Sequence, residues 1–222
     1  MDLSIFLRLL LVLPNRYIYT NAVYKQRIHN IYIMNTKAKI RQELLVLRKN
    51  LSETWNEMFW SKLCDNLLGL IATLSGRSVC GYYPIKFEIN MIYILAEIEK
   101  LGRYDIGLPR VVDKFRPLEF KLWRTNTPLE FNSNMGLHEP YQSQETIIPD
   151  LIMVPLLGFT RSCHRLGYGG GFYDRTLPHY PNAVSIGVAY SFQENNDIPT
   201  EPHDIPLFYI VTEAGIIRNS WS

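Results

Sequence analysis

An unbroken apolar run, Leu151–Val154, constrains the fold of this chain more than any other sequence feature. A strand exposed on one face alternates apolar and polar residues, whereas a continuous run is typical of a strand buried on both faces of a parallel sheet. Val184–Ala189 and Leu207–Val211 have a similar character. Shorter strands are predicted at Ser78–Tyr83, Asp105–Leu108 and Leu118–Trp123.

Amphipathic helices are predicted between these strands. Asn35 or Thr36 can cap the first helix, Ser52 the second and Asn90 the third. Apolar residues then recur at helical spacing: Ile40, Leu44, Leu47 and Leu51; Trp55, Phe59, Leu63 and Leu67; Ile92, Leu95, Ile98 and Leu101. This alternation predicts an α/β fold in three layers, with a mostly parallel sheet flanked by helices. The polar stretch 124–149 is predicted to form a long surface loop.

The charge distribution divides the chain into two parts. Residues 1–33 hold four basic residues against one acidic residue, while residues 34–222 hold 19 basic and 20 acidic residues. Nucleic-acid-binding domains carry a concentrated basic surface, so we expect no nucleic-acid partner. We expect residues 34–222 to form a single domain. The three cysteines, Cys64, Cys80 and Cys163, include no CxxC pair, so neither a zinc site nor a disulfide framework is predicted.

The beginning of the chain allows several roles. Leu3–Leu13 is apolar except for Ser4 and Arg8, but a membrane-spanning helix needs about 20 apolar residues. We favour Met34 as a natural start, with residues 1–33 as an upstream extension. A targeting segment and a membrane-surface anchor are the alternatives. We expect a cytoplasmic protein without stable membrane association, or an organellar protein if residues 1–33 are a transit segment.

A glycine-rich segment, Arg165–Arg175, carries the clearest functional signal. Glycine at 167, 169, 170 and 171 lets backbone N–H groups converge, because no Cβ forbids a positive φ. A short helix is predicted to begin near Gly171 and to end before Pro178, and its N-terminus would complete an anion nest. No Gly-Lys-Ser/Thr follows, which excludes a Walker A loop, and Phe172 stands where the dinucleotide fingerprint needs glycine. A turn shaped only by packing is the alternative.

Charged residues elsewhere could complete an anion site. Lys37 and Arg41 share a face near the predicted start of the first helix, where two cations oppose the helix dipole. This placement indicates an external anion, with two solvated surface cations as the alternative. Arg165 adds a planar fork suited to phosphate. Asp174 and Asp204 beside phosphates would need a bridging cation such as Mg²⁺; a local partner at the helix start and a simple turn role are the respective alternatives.

The sequence resembles the 5-formyltetrahydrofolate cyclo-ligase family, also called 5,10-methenyltetrahydrofolate synthetases. The matching motifs occur in family order and cover about residues 35–217. The most specific is Arg165-Leu-Gly-Tyr-Gly-Gly-Gly-Phe-Tyr-Asp-Arg175, preceded by Pro149-Asp-Leu-Ile-Met-Val-Pro-Leu-Leu157. The others are Lys37-x-x-x-Arg41, Tyr83-Pro-x-x-x-Glu88-Ile, Leu108-Pro-Arg110, Gly136-x-x-Glu-Pro140, and His203-Asp204 before Val211-Thr-Glu-x-Gly-Ile216.

The resemblance implies ATP- and Mg²⁺-dependent cyclisation of 5-formyltetrahydrofolate to 5,10-methenyltetrahydrofolate, with release of ADP and phosphate. It implies a fold similar to the NagB/RpiA/CoA-transferase-like group. It also implies Glu88 as a folate contact and Asp174 and Asp204 as metal ligands. The ATP-binding residues that it implies are Lys37, Ala38, Lys39, Ile40, Arg41, Arg165, Leu166, Gly167, Tyr168, Gly169, Gly170, Gly171, Phe172 and Tyr173.

The chemistry of that reaction agrees with the residues. Phosphorylation of the formyl oxygen creates a good leaving group, which a neighbouring folate nitrogen can displace, so no protein nucleophile is needed. Phosphoryl transfer depends on positioning and charge neutralisation, for which Lys37, Arg41 and Arg165 are the candidate catalytic residues. Flat side chains could line a pterin site; the candidates are Tyr83, Trp123 and Tyr173. We expect small-molecule partners and a monomer.

The chain departs from the family pattern at five positions. Thr160 stands where the family usually has an acidic residue, Cys163 replaces glycine, Asn90-Met91 replaces Asp-Thr, and Phe208 replaces Asp. None of these changes removes a predicted phosphate or metal residue, so we expect activity to survive. The competing functions are a non-catalytic nucleotide- or RNA-binding module on the same scaffold, and a phosphosugar isomerase or acyl-transfer enzyme of similar architecture.

Overall fold

A computed structural model gives the fold of residues 18–51, 57–201 and 204–220, with the backbone alone for residues 18–24. Residues 1–17, Ser52, Trp55 and His203 lie outside these ranges. The helices are α1 (Ile18–Leu51), α2 (Glu57–Thr73), α3 (Met91–Lys100) and α4 (Phe172–Thr176). The strands are β1 (Ser78–Cys80), β2 (Asp105–Arg110), β3 (Glu119–Leu122), β4 (Leu129–Asn132), β5 (Leu137–Pro140), β6 (Leu151–Val154), β7 (Gly158–Phe159), β8 (Arg165–Leu166), β9 (Val184–Val188), β10 (Tyr209–Thr212) and β11 (Gly215–Arg218).

A mostly parallel sheet forms the centre of the described structure. Its strand order is β11-β10-β9-β6-β1-β2-β3, and the five strands from β10 to β2 are parallel. Strands β3 and β11 pair antiparallel at the two edges. All four residues of β6 are buried, as expected for a strand between two parallel neighbours. The predicted α/β fold with a mostly parallel sheet flanked by helices is confirmed, while the NagB/RpiA/CoA-transferase-like grouping stays a prediction.

The two faces of the sheet carry separate apolar cores, because successive strand residues point to opposite faces. Helices α2 and α3 cover one face. Its members include Leu63, Leu67, Ile94 and Ile98 from the helices and Val79, Ile106, Met153 and Ile186 from the strands. The region around α4 covers the other face. Its members include Cys80, Ile152, Val154 and Ile210 from the strands, with Phe159, Leu177, Ala183 and Leu207 packed against them.

The first helix begins earlier than predicted. Helix α1 runs without a break from Ile18 to Leu51, so the predicted cap at Asn35 or Thr36 is wrong. The Thr36 hydroxyl instead donates to the Tyr32 carbonyl at 2.9 Å, one turn back in the same helix. The prediction that Lys37 and Arg41 oppose the dipole at a helix start is therefore wrong too. The helix also continues across the 33/34 boundary that was predicted between the extension and the domain.

The buried face of α1 differs from the predicted apolar stripe. Ile40 and Leu44 are buried as expected and pack against Leu166 and Ile198. The next buried position is Arg48, which is 1% exposed, whereas Leu47 is 39% exposed. A charged residue thus takes the place on this face where the sequence predicted leucines. No helix within the described ranges combines the length and apolarity that crossing a membrane requires.

The predicted surface loop 124–149 contains a β-hairpin, so that prediction is wrong. Strands β4 and β5 pair antiparallel, and the turn between them includes Gly136 with φ +66°. A bridge between Lys121 and Thr146 ties the following segment back to β3. Each of the two strands has only four residues, which is too short for alternation to stand out from a polar loop.

Two departures from the family pattern have a local structural account. Asn90 keeps the capping role, because its side chain accepts a hydrogen bond from the Tyr93 N–H at 3.3 Å. Gly102, with φ +69°, follows the end of α3, a position where glycine is favoured. Cys163 occupies a turn with φ +62°, a conformation that glycine adopts without strain, which fits the glycine usual at this position.

Candidate active site

The sheet topology defines one edge where a ligand cleft is expected. From β1 the chain continues to β2 on one side, whereas from β6 it continues to β9 and β10 on the other. In open α/β sheets, ligands bind outside the carboxyl ends of the strands at such a switch point. The segments that leave β1 and β6 here are residues 81–90 and 155–171. The second of these ends in residues 167–171, called the glycine loop below.

Arginines hold the carbonyl groups of the glycine loop. Arg41 Nε donates to the Gly167 carbonyl at 2.8 Å, and Arg175 Nη2 donates to the Gly170 carbonyl at 3.0 Å. Within the described part of the chain, the N–H groups of residues 167–171 donate to no acceptor. A run of backbone N–H groups that is free of internal partners, beside a helix start and two arginines, is suited to an anion.

Glycine is required at two points of this loop. Gly171 has φ +67°, and a Cβ there would lie 2.5 Å from Arg175 Nη1. Gly169 has φ +96°, and a Cβ there would lie 3.6 Å from Arg41 Cζ. The left-handed backbone disfavours any side chain at both positions. The glycines therefore serve to bring the loop backbone against the two arginines.

Lys37 is held by two carboxylates. Its Nζ lies 2.8 Å from Glu201 Oε2 and 2.8 Å from Asp204 Oδ2. Burial alone would lower the pKa of Lys37, but its hydrogen bonds to Asp204 and Glu201 and their charges outweigh burial, so the pKa is raised. Burial lowers the pKa of Arg41, with Asp204 acting in the opposite direction. Lys37 and Arg41 lie one helical turn apart on α1, and the charge of Asp204 acts on both.

Arg165 connects α4 to the segment that contains Asp204. Its Nη1 donates to the Ile205 carbonyl at 2.9 Å, and its Nη2 is hydrogen-bonded to Asp174 Oδ1. Each predicted metal ligand is therefore paired with a cation. No group of three or more His, Cys, Asp or Glu side chains in the described ranges is arranged to hold a metal. Metal binding by Asp174 and Asp204 stays a prediction.

A tight turn after β1 places Glu88 at the same edge. Lys86 and Phe87 have φ +45° and +64°, which are uncommon for residues with side chains. The turn brings the Ile85 N–H to Glu88 Oε2 at 2.9 Å. Burial raises the pKa of Glu88 to about 7, although the Ile85 N–H and the charge of Arg48 act in the opposite direction.

Buried polar atoms without a partner are concentrated around the glycine loop. Among the described residues there are four: Glu88 Oε1, Tyr173 Oη, Arg48 Nε and Arg175 Nε. Burial raises the pKa of Tyr173, and the charge of Glu88 adds to this, so the phenol keeps its proton. A buried polar atom without a hydrogen-bond partner lowers the stability of the fold by about 1–3 kcal/mol. A bound molecule with its own donors and acceptors would remove that cost at Glu88 and Tyr173.

Several predicted ligand residues do not reach this edge. Ala38 and Lys39 are exposed. Lys39 lies on the opposite side of α1 from Lys37 and Arg41, and its Nζ lies 3.9 Å from Glu43. Ile40 and Leu166 are core residues, so only their backbone could contact a ligand. Periodicity explains the difference, since a five-residue run on a helix cannot turn every side chain to one face.

The aromatic residues that were predicted to line the site also differ in their positions. Trp123 is 3% exposed in the main core and its indole N–H donates to the Thr127 carbonyl at 3.1 Å, so it does not line the edge. The Tyr83 ring lies 5.1 Å from that of His138 on β5, against the hairpin. The Phe172 ring lies under the Arg175 guanidinium, with Cζ 5.2 Å from its centroid. Tyr173 is the predicted aromatic residue with an unmet polar atom at the site.

Arg48 also belongs to this region, although no sequence motif indicated it. Its guanidinium is buried and hydrogen-bonded to the Tyr168 hydroxyl of the glycine loop. The available signal was its spacing, because Arg48 lies four residues after Leu44 on the buried face of α1. A charged residue at such a position needs a buried partner, and this requirement could have identified it.

One depression on the described surface lies elsewhere. It has a volume of about 590 Å³ and is lined by Leu74, Ser75, Gly76, Arg77, Arg103, Tyr104 and Asp150. These residues precede β1, β2 and β6, which places the depression at the amino edge of the sheet. The Arg77 N–H, together with the Ser78 N–H and hydroxyl, lowers the pKa of Asp150 and satisfies its carboxylate. We therefore regard Asp150 as a structural brace.

Comparison with known proteins identifies the family. A model described as "5-formyltetrahydrofolate cyclo-ligase family" matches residues 33–213. The chain belongs to the 5-formyltetrahydrofolate cyclo-ligase family. The predicted assignment to an enzyme of this family is confirmed.

Individual cyclo-ligases match most of the chain. The protein named 5-formyltetrahydrofolate cyclo-ligase from Mycolicibacterium smegmatis is 35% identical over 197 residues, which cover 82% of this chain and 96% of that protein. The protein of the same name from Haemophilus influenzae is 30% identical over 188 residues, covering 80% and 99%. The NMR structure of Aquifex aeolicus 5,10-methenyltetrahydrofolate synthetase superimposes with a TM-score of 0.70 at 31% identity, covering 83% of this chain and 93% of that one.

The environment of Glu88 in this cyclo-ligase predicts an unusual titration. We expect ¹³C NMR of the carboxyl carbon, assigned with Glu88→Gln, to give a pKa of about 7 in the ligand-free protein. The folded state then binds this proton more tightly than the unfolded chain, so the free energy of unfolding falls as the pH rises from about 4.5 to about 7. Glu88→Gln should remove that decline, and Glu145→Gln, at an exposed carboxylate, should retain it. A titration midpoint near 4.5 would contradict the burial of Glu88.

Proposed function

We propose that the chain catalyses the ATP- and Mg²⁺-dependent cyclisation of 5-formyltetrahydrofolate to 5,10-methenyltetrahydrofolate, releasing ADP and phosphate. One observation carries the proposal: the free N–H groups of the glycine loop and the unmet atoms Glu88 Oε1 and Tyr173 Oη lie at the same edge of the sheet. The N–H groups suit a triphosphate, and the two buried atoms suit a polar ring. The family membership supports the pairing of these two ligands.

The phosphate side uses the cations around the glycine loop. Arg41 already contacts the loop through Gly167, and Arg165 is 6% exposed and fixed by two hydrogen bonds. Lys37 lies between two carboxylates and can turn towards phosphate oxygens when they arrive. Preorganised cations stabilise the charge that develops on a transferring phosphoryl group without reorganising during the step. These three residues are the proposed catalytic cations.

The chain offers magnesium a suitable but small set of ligands. Mg²⁺ prefers carboxylate and phosphate oxygens and is usually held by one or two carboxylates together with the phosphates of a nucleotide. Asp174 and Asp204 supply two such carboxylates, in contact with Arg165 and Lys37 respectively. Asp174 and Asp204 would hold Mg²⁺, which when bound would neutralise charge on the phosphates.

The folate side needs binding and orientation rather than a nucleophile. The formyl oxygen attacks the γ-phosphorus, the bond to ADP breaks, and the formyl carbon becomes electrophilic. The second folate nitrogen then bonds to that carbon, loses its proton, and phosphate leaves. Glu88 and Tyr173 orient the pterin so that the formyl oxygen faces the phosphates, and such positioning supplies much of the rate. Tyr83 remains a candidate for a wall of this site.

The proposal also covers the partners, the oligomeric state and the location of the enzyme. The enzyme acts on small molecules as a monomer, has no nucleic-acid partner and no stable membrane association, and works in the cytoplasm. An organelle is the alternative location if residues 1–33 act as a transit segment. The competing non-catalytic binding module would bind nucleotide without turnover.

A spectrophotometric assay tests the proposed function. Purified protein with Mg-ATP and 5-formyltetrahydrofolate should accumulate the near-ultraviolet absorbance of the methenyl product, with one ADP released for each product. Omitting ATP should abolish the change, because the formyl oxygen is then a poor leaving group. Folded protein that binds ATP but produces no absorbance would instead support the non-catalytic module.

A matched pair of glycine substitutions tests the phosphate site. Gly169→Ala and Gly102→Ala both place a side chain at positive φ, with no close contact at Gly102 and an ordinary one at Gly169. Each should lose about 1 kcal/mol of stability. Only Gly169→Ala should raise the KM for ATP, by roughly tenfold or about 1.4 kcal/mol, because Gly102 lies at the amino edge. Equal KM values in the two variants would place the nucleotide elsewhere.

Replacement of Asp174 tests the metal. Asp174→Asn should lower kcat/KM roughly tenfold or more at limiting Mg²⁺, a loss of about 1.4 kcal/mol, and excess Mg²⁺ should partly restore it. Asp65→Asn, at an exposed position on α2, serves as the control and should leave the Mg²⁺ dependence unchanged. Wild-type behaviour of Asp174→Asn at limiting Mg²⁺ would remove Asp174 from the metal site.

A further inference from the structure

The hairpin of β4 and β5, with the strand β2 beside it, contains two sequence motifs that the proposed reaction does not use. Leu108-Pro-Arg110 ends β2, and Gly136-x-x-Glu-Pro140 runs from the hairpin turn through β5. In the described structure the two strands of the hairpin form a sheet of their own, apart from the central sheet. A two-stranded hairpin is marginally stable by itself, so contacts made by side chains must hold it to the rest of the protein.

Arg110, the last residue of β2, holds both strands of the hairpin. Its Nη1 donates to the Pro140 carbonyl of β5 at 2.6 Å and is also hydrogen-bonded to Glu130 of β4. The same nitrogen lies 3.3 Å from Glu139 Oε1 of β5. Glu139 Oε2 in turn accepts from the Val111 N–H at 3.1 Å. These contacts fix the hairpin at the carboxyl end of β2.

The register of the hairpin makes this arginine necessary. Glu130 and Glu139 lie directly opposite each other in β4 and β5. Like charges at such a cross-strand pair are destabilising. Glu139 is 2% exposed, so salt and solvent screen the repulsion poorly. Because the Arg110 guanidinium contacts both carboxylates, it compensates the repulsion, and closure of the hairpin in this register depends on it.

The opposite face of the hairpin carries aromatic rings, since successive residues of a strand point to opposite faces. Phe131 and His138 form the cross-strand pair next to that of Glu130 and Glu139. The ring centroids of Phe131 and His138 lie 5.2 Å apart, and the His138 centroid lies 5.1 Å from that of Tyr83. The rings of Tyr83, His138 and Phe131 thus form a continuous series, called the aromatic row below.

The aromatic row leads outwards from the folate side of the candidate site. Tyr83 lies in the segment that leaves β1 and continues into the turn before Glu88. Tyr83 and His138 are half-buried, whereas Phe131 is 60% exposed. An exposed ring that continues a candidate wall offers a surface for another flat ring. In 5-formyltetrahydrofolate the pterin is joined to an aminobenzoyl ring, whose nitrogen is the one that attacks the formyl carbon.

We propose that the aromatic row binds the aminobenzoyl ring of the substrate, and that Arg110 is a positioning residue that holds the row in place. The inference rests on the proposed function, because it takes 5-formyltetrahydrofolate as the substrate. Binding of the ring places its nitrogen beside the formyl carbon, and such alignment contributes to the rate. Arg110 acts from the other face of the hairpin, so its effect reaches the substrate only through His138 and Phe131.

Removal of the outer ring tests the binding surface. Phe131→Ala should raise the KM for 5-formyltetrahydrofolate roughly fivefold. The KM for ATP and the melting temperature should stay close to wild type, because the side chain is exposed. The same increase is expected for 5-formyltetrahydropteroate, which keeps the aminobenzoyl ring and lacks the glutamate. Phe208→Ala, at an exposed ring at the amino end of β10, is the control and should leave both KM values unchanged. An unchanged KM in Phe131→Ala, or an increase for the folate but not for the pteroate, would overturn the proposal.

Relief of the charge repulsion tests the positioning role of Arg110. Arg110→Met leaves the two carboxylates opposed, so it should lower kcat roughly tenfold and raise the KM for the folate, with little change in the KM for ATP. Adding Glu130→Gln removes the repulsion without adding a substrate contact, and should restore part of the lost kcat. Arg103→Met, at an exposed arginine at the amino edge, is the control. Absence of this rescue in folded protein, or equal increases in both KM values, would remove the positioning role. Phe131→Ala tests the aromatic row even if Arg110→Met does not fold.

NMR decides the proposal without turnover. The protein is saturated with 5-formyltetrahydrofolate and a non-hydrolysable ATP analogue, and nuclear Overhauser effects report which protons lie close together. The aminobenzoyl protons should show contacts with the ring protons of His138 and Phe131. Bound folate without these contacts would overturn the proposal even if the enzyme is active. The same contacts in a protein that does not turn over would support the aromatic row and reject the proposed function instead.

Discussion

The docking of one face of α1 against the glycine loop is the interaction on which the candidate site depends. Ile40 and Leu44 bury this face against Leu166 and Ile198, and the apolar contact fixes the register of the helix. Because residues three and four apart share a helical face, the same contact brings Arg41 to the Gly167 carbonyl and Arg48 to the Tyr168 hydroxyl. The apolar packing of α1 and the placement of its two arginines therefore depend on the same docking of the helix.

This arrangement explains how the protein accommodates several cations close together. The arginines are occupied by loop carbonyls, by the Tyr168 hydroxyl and by Asp174, while Lys37 is occupied by Glu201 and Asp204. The backbone N–H groups of the loop and the atoms Glu88 Oε1 and Tyr173 Oη are left without protein partners in the described structure. A preorganised site of this kind presents its unmet groups to substrate, and this is how a protein stabilises transferring charge without moving.

The sequence predicted the parts of the fold that depend on local pattern. The run Leu151–Val154 became a buried parallel strand, and Asn90 caps α3, because continuous apolarity and capping chemistry are both local. Predictions from the sequence were wrong where the structure depends on contacts between residues that are distant in the chain. Helix α1 is already continuous before the predicted cap at Asn35 or Thr36. Arg48 is buried only because Leu156 and Tyr168, more than 100 residues away, supply its acceptors. The glycine loop stands out by its spacing alone, but the burial of Trp123, a candidate wall residue, could not be predicted because core packing does not show in a motif.

The central claim is that triphosphate and folate meet at the carboxyl edge between the glycine loop and Glu88. The most direct measurement is a crystal structure of the protein with 5-formyltetrahydrofolate and a non-hydrolysable ATP analogue. The account predicts phosphate oxygens on the N–H groups of residues 167–171 and the pterin hydrogen-bonded to Glu88 Oε1 and Tyr173 Oη. Either ligand bound in the amino-edge depression around Gly76 and Arg103, with the glycine loop empty, would contradict it.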